Sequence, residues 1–446
     1  MWQYSCNLRG IYETPMFHGD LTDVTLRQLA ESVIHAGRDS GRTLLTDVEA
    51  KRVLAAYRIP TLETRLARSE GEALRVASEI GFPAVLKPVP DPASQEIEFE
   101  GMPLTVLDAE AVRRAWKLIE SALGKNGGVE TSFAVSLQPA VRLDGYELSL
   151  GSRLDPQFGP VLRFGLGGKL ADVFSDRAFG LPPLNATLAR RMMERSKIYT
   201  ALQSAGAVDL AALDALLVRF SQLVVEQAWI EEIEINPLLT SPQLLALAAR
   251  VVVHGQEVDE SKLPRPVIRP YPMQYVSTWR MKDGQAVTFR PIRAEDEPLM
   301  VKFHQGLSDS SVYLRYFQGV GLKKRTAHDP LTRICFIDYD REMALVGEQR
   351  DPQTEERRII ALGNLTKAHG QNEAELAAMI SDNYQGRGLG VEMMRRLIRV
   401  ARDEKLDRVL ATTMTENYGM SAIFKRLGFE TSINLDDGVI EAEMRL

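Results

Sequence analysis

The arrangement of apolar and polar residues is most regular in the C-terminal third of the chain. Between Val391 and Lys405, apolar residues recur every three or four positions with charged residues between them, which predicts an amphipathic helix. The apolar segment 374–380 just before it has the length of a strand. The intervening residues 383–390 include glycines at 386, 388 and 390. The pattern therefore predicts a strand, a glycine-rich turn and a helix, in that order.

Helices and strands alternate on both sides of this unit. In the N-terminal half, helical patterns cover 21–37, 47–57 and 70–80, and strand patterns cover 81–88, 160–164 and 232–237. In the C-terminal half, strand patterns cover 286–292, 344–348, 358–365 and 408–413, and a helix is predicted from Glu297. The mixture predicts an α/β (α+β) fold class.

A proline-rich stretch marks the main boundary along the chain. Residues 263–272 contain four prolines, which favour an extended spacer without a helix. A chain of 446 residues is too long for a single core. We therefore predict a linker over 255–272 and a second domain over 273–446; the family resemblance described below implies a connector over 1–42 and a domain over 43–254 before them.

Composition narrows the classes of partner. The net charge of -6 gives no reason to expect binding to nucleic acid or to an anionic membrane. Only two cysteines occur, Cys6 and Cys335, so a structural disulfide is not expected and a reducing cytoplasm is the predicted location. The sequence contains no apolar run of membrane-spanning length. Its first ten residues lack the apolar core of a signal peptide.

The glycine-rich turn has the chemistry of a phosphate site. Glycines allow the backbone to approach a ligand, and the first amides of the following helix point outward with the positive end of its dipole. A dinucleotide-binding fingerprint would need a glycine at Val391, and the Gly-Lys-Ser/Thr of a P-loop is absent. An ordinary strand-to-helix turn is the alternative.

A second group of candidates lies in the N-terminal half. Lys87 ends an apolar strand, and Gly165-Leu166-Gly167-Gly168 follows another. Alternation places Glu234 and Asn236 on one face of their strand, where carboxylate and amide oxygens suit magnesium. The alternative for Lys87 is a solvated residue at a strand end.

The motif Gln385-x-x-Gly388-x-Gly390 resembles motif A of the GNAT N-acyltransferases, and 417–429 resembles their motif B. The resemblance extends over about 273–446. It implies a GNAT fold with acetyl-CoA as cosubstrate, its pyrophosphate on the amides of 386–390. The residues it assigns to acetyl-CoA are Met379, Ile380, Gln385, Gly386, Arg387, Gly388, Leu389, Gly390 and Asn417.

The order of Lys87, the glycine loop and Glu234-x-Asn236 resembles the ATP-grasp domain of NDP-forming acyl-CoA synthetases, over about 43–254. The resemblance implies nucleotide binding by Lys87, Gly167 and Gly168, and magnesium binding by Asp172, Glu234 and Asn236. Segment 4–15 resembles a connector of longer members, in which a CoA-binding part comes first. The chain is therefore expected to correspond to the C-terminal half of that architecture.

Two departures weaken the synthetase chemistry that this resemblance implies. Segment 91–101 lacks the histidine of the His-Lys-Ser-Asp-Val-Gly-Gly-Val run of working synthetases. Asp172 stands where members usually have glutamate. We therefore expect no acyl-CoA synthesis from this chain alone. Residues 43–254 either bind ATP with magnesium, or another ligand, in a degenerate site, or only support the neighbouring domain.

Within the GNAT resemblance, Glu375 is the candidate general base. Segment 308–317 resembles the second helix of Pat-type protein acetyltransferases, in which a glutamate at the position of Glu375 takes the proton of the acceptor amine. A backbone amide near Met379 or Ile380 would meet the developing oxyanion. Many GNAT enzymes carry a tyrosine acid where this chain has Phe424, so we assign no general acid. The alternative for Glu375 is a solvated carboxylate at a strand edge.

The sequence therefore predicts a Pat-like lysine acetyltransferase acting on protein substrates, such as acyl-CoA synthetases. Two alternatives stay open at this point. One is an acetyltransferase for small amines, since the GNAT motifs bind CoA and say little about the acceptor. The other is a non-catalytic sensor of acyl-CoA or nucleotide.

Overall fold

The computed structural model describes residues 24–89, 104–124, 133–142, 145–168, 171–206, 208–241, 243–351 and 354–446. Segment 91–101, with its missing histidine, lies outside these residues. The described residues form two compact units, one up to Ile268 and the other from Arg269 to Leu446. Residues 263–272 contain no helix or strand. In the described part of the chain, no helix is both long and apolar enough to cross a membrane.

The N-terminal unit contains two antiparallel sheets with helices packed on them. Its helices are α1 (Val24–Asp39), α2 (Asp47–Ala56), α3 (Glu70–Ile80), α4 (Ala109–Gly124), α5 (Ala171–Phe174), α6 (Ala186–Met193), α7 (Lys197–Ala205) and α8 (Leu210–Glu226), with a 3₁₀ turn at Glu260–Lys262. Its strands are β1 (Arg65–Ala67), β2 (Ala84–Val89), β3 (Leu104–Val106), β4 (Ala134–Pro139), β5 (Glu147–Asp155), β6 (Gly159–Leu166), β7 (Arg177–Gly180), β8 (Ile230–Leu239), β9 (Leu245–Ala246) and β10 (Ala249–Val253).

Each sheet of this unit has its own core. The smaller sheet has the strand order β1-β4-β2-β3 and packs its apolar face on α3 and α4, around Trp116 and Leu137. The larger has the order β10-β8-β5-β6-β7, with β9 paired to β8, and packs on α1, α2 and α6–α8 around Phe164 and Phe220. The start of α2 is held locally by a capping box between Thr46 and Glu49, which satisfies amides that the helix itself leaves unpaired.

The C-terminal unit is one eight-stranded sheet with helices on both faces. Its strands are β11 (Ser277–Arg280), β12 (Ala286–Pro291), β13 (Glu342–Arg350), β14 (Arg357–Lys367), β15 (Glu373–Ile380), β16 (Arg408–Met414), β17 (Glu430–Asn434) and β18 (Val439–Arg445). Its helices are α9 (Glu297–Gln305), α10 (Asp309–Tyr316), α11 (Leu322–Arg325), α12 (His328–Cys335), α13 (Leu389–Asp403) and α14 (Tyr418–Leu427), with 3₁₀ turns at Met273–Tyr275, Ala294–Asp296 and Asp382–Tyr384.

The strand order is β11-β12-β13-β14-β15-β16-β18-β17, and among the described pairings only β15 and β16 run parallel. Helices α13 and α14 cover one face of the sheet, with Met393 and Leu397 in the core. Helices α9, α10 and α12 cover the other face, around Met300 and Phe303. The predicted strand, glycine turn and helix correspond to β15, the turn 381–388 and α13, which begins two residues before the predicted start.

Candidate functional site

The edge that β15 presents to β16 opens into a gap. The two strands pair only where Glu373, Ala374 and Glu375 face Arg408, Val409 and Leu410, although β15 continues to Ile380 and β16 to Met414. Beyond Glu375 the strands diverge. Backbone groups on this edge of β15 beyond Glu375 therefore face a gap and not a hydrogen-bonded partner strand.

Alternation along β15 decides which amides face the gap. The amide of Ala368 donates to the carbonyl of Glu373, and the amide of Ser381 donates to the carbonyl of Ile360. Because backbone groups alternate sides along a strand, the odd-numbered residues of β15 bond to β14 and the even-numbered ones face the gap. Met379, a predicted contact, therefore directs its amide toward β14. The amide of Ile380, the other predicted contact, faces the gap.

The glycine turn has the backbone geometry that its sequence requires. Gly386 has φ 73° and Gly388 has φ 91°, values in the left-handed region that glycine adopts without penalty. Gly388 is the N-cap of α13, so the amides of Leu389, Gly390 and the next residues lie at the open helix end. A Cβ on Gly390 would lie 2.8 Å from Cδ1 of Ile423. This geometry suits an anion-binding turn next to the gap.

Side chains fix the turn to β15 and α10. The Nε2 of Gln385 donates to the carbonyl of Ile380 at 3.2 Å and to the Oγ of Ser311 at 3.1 Å. Asp382 accepts from the amide and hydroxyl of Ser308 at 2.9 and 2.6 Å, and from the hydroxyl of Ser311 at 2.8 Å. Partial burial opposes ionisation of Asp382, but these hydrogen bonds outweigh it and lower the pKa of the carboxyl. The prediction named Gln385 as a ligand contact; Ser308 and Ser311 lie in segment 308–317, which the sequence singled out only as a helix, and no motif pointed to Asp382.

Arg387, the predicted supplementary charge for the pyrophosphate, already has partners. Its Nη1 lies 2.8 Å from Oδ2 of Asp283, and its guanidinium lies 5.3 Å from the ring of Tyr384. A phosphate would therefore have to share this guanidinium with Asp283.

Glu375 is exposed at the point where the gap begins. Its side chain lies on the same face of β15 as that of Met379, which packs in the core beneath α9 and α10. Glu373, two residues earlier on this face, is buried and forms an ion pair with Arg408. Of the two neighbouring carboxylates, Glu375 is the one open to an acceptor.

Two of the motif B residues, Asn417 and Phe424, have structural roles in α14. Asn417 caps this helix by accepting from the amide of Met420 at 3.0 Å, and its Nδ2 donates to Oγ1 of Thr413 at 2.9 Å. Phe424 is only 1% exposed and its ring packs against Phe429 at 5.3 Å, so a buried apolar ring fills the position of the family's tyrosine. Tyr418 is 82% exposed, which excludes a packing role within this unit.

In the N-terminal unit, a cavity of about 260 Å³ collects several predicted residues. Its lining comprises Ser149, Arg163, Gly165, Leu166, Gly168, Ala171, Arg177, Glu234 and Asn236. The amide of Gly168 donates to Oδ1 of Asn236 at 2.8 Å, and the amide of Gly167 donates to the carbonyl of Glu147 at 2.8 Å. Lys87 lies on β2 in the other sheet and does not line this cavity.

The residues of this cavity fit the predicted magnesium site poorly. Oε1 of Glu234 accepts from Nη2 of Arg163 at 2.6 Å and from the hydroxyl of Ser149 at 3.3 Å. Asn236 already accepts from Gly168. The side chain of Asp172, the third predicted ligand, lies outside the described part of the structure. Among the described residues, no cluster of three or more His, Cys, Asp or Glu side chains could hold a metal ion.

A buried lysine on α2 is a polar feature that sequence analysis missed. Lys51 is 4% exposed and donates to Asp47 at 2.8 Å, to Thr64 at 2.8 Å and to Gln138 at 3.0 Å. Burial lowers the pKa of its ammonium group; Asp47 opposes that shift and Lys87 adds to it. The sequence could have indicated this burial, because Lys51 lies on the same face of α2 as its buried apolar residues. The contacts join α2 to the smaller sheet, which is a structural role.

Comparison with known proteins identifies one family domain in the N-terminal part of the chain and another in the C-terminal part. Residues 36–253 match the family model of the ATP-grasp domain, and residues 286–430 match that of the acetyltransferase (GNAT) domain. The beta subunit of the ADP-forming acetate–CoA ligase II of Pyrococcus furiosus is 30% identical over 222 residues, which are 48% of this chain and 94% of that subunit. An acetyltransferase of Pseudomonas aeruginosa is 30% identical over 157 residues, which are 35% of this chain and 82% of that protein.

This chain belongs to the GNAT acetyltransferases and carries an ATP-grasp domain in its N-terminal part. The predicted fold class and the acyltransferase class are thereby confirmed, against the alternative of a non-catalytic sensor. Among solved structures, an acetyl-CoA synthetase of Candidatus Korarchaeum cryptofilum in complex with coenzyme A, Ca-AMPCP and HgCl+ is 32% identical, with a TM-score of 0.46. It covers 50% of this chain and 100% of its own. As a GNAT acetyltransferase, the protein uses acetyl-CoA as acyl donor and requires an acceptor.

Proposed function

We propose that this protein transfers acetyl from acetyl-CoA to the ε-amine of lysine in protein substrates, with acyl-CoA synthetases as the expected substrates. The observation that carries the proposal is the exposed carboxylate of Glu375 where β15 and β16 separate. The presence of a synthetase-like domain and a GNAT domain in one chain, an architecture that the Pat-type resemblance implies, supports this acceptor class. A cytoplasmic location stays a prediction.

The glycine turn and the gap would contact different parts of acetyl-CoA. The amides at the start of α13 would bind the pyrophosphate, while Gln385 and Asp382 hold the turn against β15 and α10. The thioester would then extend along the open edge of β15. There the amides of Ala378 and Ile380 face the gap and can donate to the thioester oxygen, whose negative charge grows in the transition state.

Glu375 supplies the base that the reaction needs. A lysine amine has an ordinary pKa of about 10.4 and is protonated at neutral pH, so it must lose a proton before it can attack. The Glu375 carboxylate accepts this proton, directly or through a water molecule. The amine nitrogen forms a bond to the thioester carbon, the carbon–sulfur bond breaks, and CoA leaves as a thiolate that later takes a proton. Because Phe424 is buried and has no hydroxyl group, the chain places no acid at that position.

The test compares acceptors with the full-length protein and acetyl-CoA. An AMP-forming acyl-CoA synthetase, an unrelated lysine-rich protein and a panel of small amines are assayed for CoA release. Intact mass and peptide mapping then locate any acetyl group. We expect one acetyl group on a lysine of the synthetase. Faster turnover of a small amine than of any protein lysine would contradict the proposal and support the small-amine alternative.

A further inference from the structure

Four residues lie in one row across the larger sheet of the N-terminal unit. Gly151 on β5 pairs with Arg163 on β6 and with Glu234 on β8, and Glu234 pairs in turn with Arg250 on β10. Residues paired in antiparallel strands place their side chains on the same face. Because Gly151 has no side chain, the side chain of Arg163 on β6 can cross β5 and reach Glu234 on β8. A Cβ on Gly151 would lie 3.2 Å from the carbonyl oxygen of Ile233 and 3.5 Å from Nη2 of Arg163.

This arrangement places a fixed positive charge where a metal ion was predicted. The guanidinium of Arg163 lies 2.6 Å from Glu234, so a magnesium ion on the same carboxylate would be close to a like charge. The oxygen of Asn236 already accepts from the amide of Gly168. Oε1 of Glu234 and Oδ1 of Asn236, two oxygens of the predicted magnesium site, are therefore engaged by N–H donors that belong to the protein.

The cavity is lined by arginine side chains that can contact an anion. Its described charged residues are Arg163, Arg177 and Glu234, two positive and one negative. Arginine carries five N–H donors in a planar fork that matches phosphate oxygens, so Arg163 can contact Glu234 and a phosphate together. The volume of about 260 Å³ lies below the range of about 300–1,000 Å³ of pockets that enclose whole small ligands. It suits a phosphate chain better than a complete nucleotide.

We propose that this cavity binds the polyphosphate group of a nucleotide without a divalent metal, with Arg163 supplying the positive charge that magnesium would otherwise provide. The inference concerns the N-terminal unit and is independent of acetyl transfer. Its failure would leave the proposed lysine acetyltransferase unaffected.

The test is calorimetric titration of the full-length protein with ATP and with tripolyphosphate, each in EDTA and in magnesium. We expect ATP to bind in EDTA with a Kd within about threefold of that in magnesium. Arg163→Met keeps an unbranched side chain but removes the charge and releases Glu234. This variant should bind ATP at least about tenfold more weakly in EDTA, and magnesium should restore its affinity.

Arg250→Met is the matched control. Arg250 lies in the same row, but its guanidinium contacts Glu232 at 2.8 Å and does not line the cavity. Its loss should change the Kd by less than about threefold. Circular dichroism of both variants would check that each is folded.

Each outcome of the titrations has a distinct interpretation. Equal binding of ATP and tripolyphosphate would show that the phosphate chain alone is recognised, and binding of ATP alone would show that the nucleoside contributes; both support a metal-independent site. Wild-type binding that requires magnesium would overturn the proposal. The proposal would also be overturned if neither ATP nor tripolyphosphate bound, or if the Kd for ATP were unchanged in Arg163→Met.

Discussion

Glu375 lies opposite Leu410 at the last paired position of two parallel strands, and beyond this pair the strands separate. The carboxylate therefore marks the inner end of a gap whose edge carries backbone amides. The glycine turn lies at the other end of β15. Strand divergence thus puts a base, amide donors and an anion-binding turn along one strand.

Replacing Glu375 by glutamine should remove the base and leave the fold intact, because the side chain is exposed. We expect kcat to fall by about 10² or more at neutral pH, the usual contribution of a general base, with the affinity for acetyl-CoA nearly unchanged. Steady-state kinetics with a protein acceptor and titration with acetyl-CoA measure the two quantities. Glu373→Gln, which alters the neighbouring carboxylate on the same face, is the control and should retain most of the activity. Equal rates for Glu375→Gln and the parent would exclude Glu375 as the base.

Gly388→Val should abolish acetyl-CoA binding without unfolding the protein. Gly388 has φ 91°, and a residue with a Cβ in the left-handed region costs about 1–2 kcal/mol, so the turn should rearrange and lose its phosphate contacts. Calorimetric titration with acetyl-CoA, together with circular dichroism, tests this.

The control for this variant is Gly438→Val, which introduces the same kind of strain at φ 64° in the turn between β17 and β18. Acetyl-CoA should bind it normally. Normal affinity in a folded Gly388→Val protein would mean that segment 383–390 is only a strand-to-helix turn.

Asp382→Asn should weaken acetyl-CoA binding indirectly, by loosening the glycine turn from α10. The carboxylate accepts three hydrogen bonds from Ser308 and Ser311, and net hydrogen bonds are worth about 0.5–1.5 kcal/mol each. We expect the KM for acetyl-CoA to rise about two- to tenfold with a smaller change in kcat. Gln385→Ala, which removes the turn's other contact to Ser311, should resemble it. A fall in kcat alone, with KM unchanged, would argue against a positioning role.

The pKa of Asp382 is lowered in the folded protein, so its interactions should stabilise the fold above the ordinary aspartate pKa of about 3.9. That contribution should disappear as the pH falls through the lower, folded-state pKa. Urea unfolding of the parent and of Asp382→Asn across this range measures the difference. A stability difference that stays constant down to the lowest pH would contradict the assignment.

His304 should make the C-terminal unit sensitive to mild acid. It is 1% exposed, and burial, with a further contribution from the charge of Arg325, lowers its pKa to about 4. Its folded pKa lies below the ordinary value of about 6.5, so the unfolded chain binds the proton first and stability falls as the pH drops from 6.5 to 4. The linked loss is about 3 kcal/mol at most.

Urea unfolding at several pH values, for the parent and for His304→Leu, tests this. The variant should lose less stability on acidification than the parent. His369→Gln, at an exposed histidine, is the control and should follow the parent. An identical pH dependence in the parent and His304→Leu would contradict the prediction.

The sequence by itself determined the features that depend on short-range chemistry. The helical period of 391–405 and the three glycines before it predicted α13 and its turn, because helix periodicity and positive φ angles are local properties. The apolar segment 374–380 likewise became β15, and the ordered motifs were sufficient to predict both domain folds. The carboxylate–amide pair Glu234 and Asn236 was correctly placed on one face, since alternation is a property of a single strand.

Only the tertiary structure decided what depends on register between distant segments. Glu373 and Glu375 have similar local sequence, but β16 gives one of them Arg408 and leaves the other exposed. Arg163 and Glu234 are 71 residues apart, and their ion pair exists because Gly151 lies between them in the sheet. Composition and periodicity carry no information about such pairings, because the free energy that selects them comes from packing whole strands together. For that reason the sequence suggested a magnesium site where the fold placed an arginine.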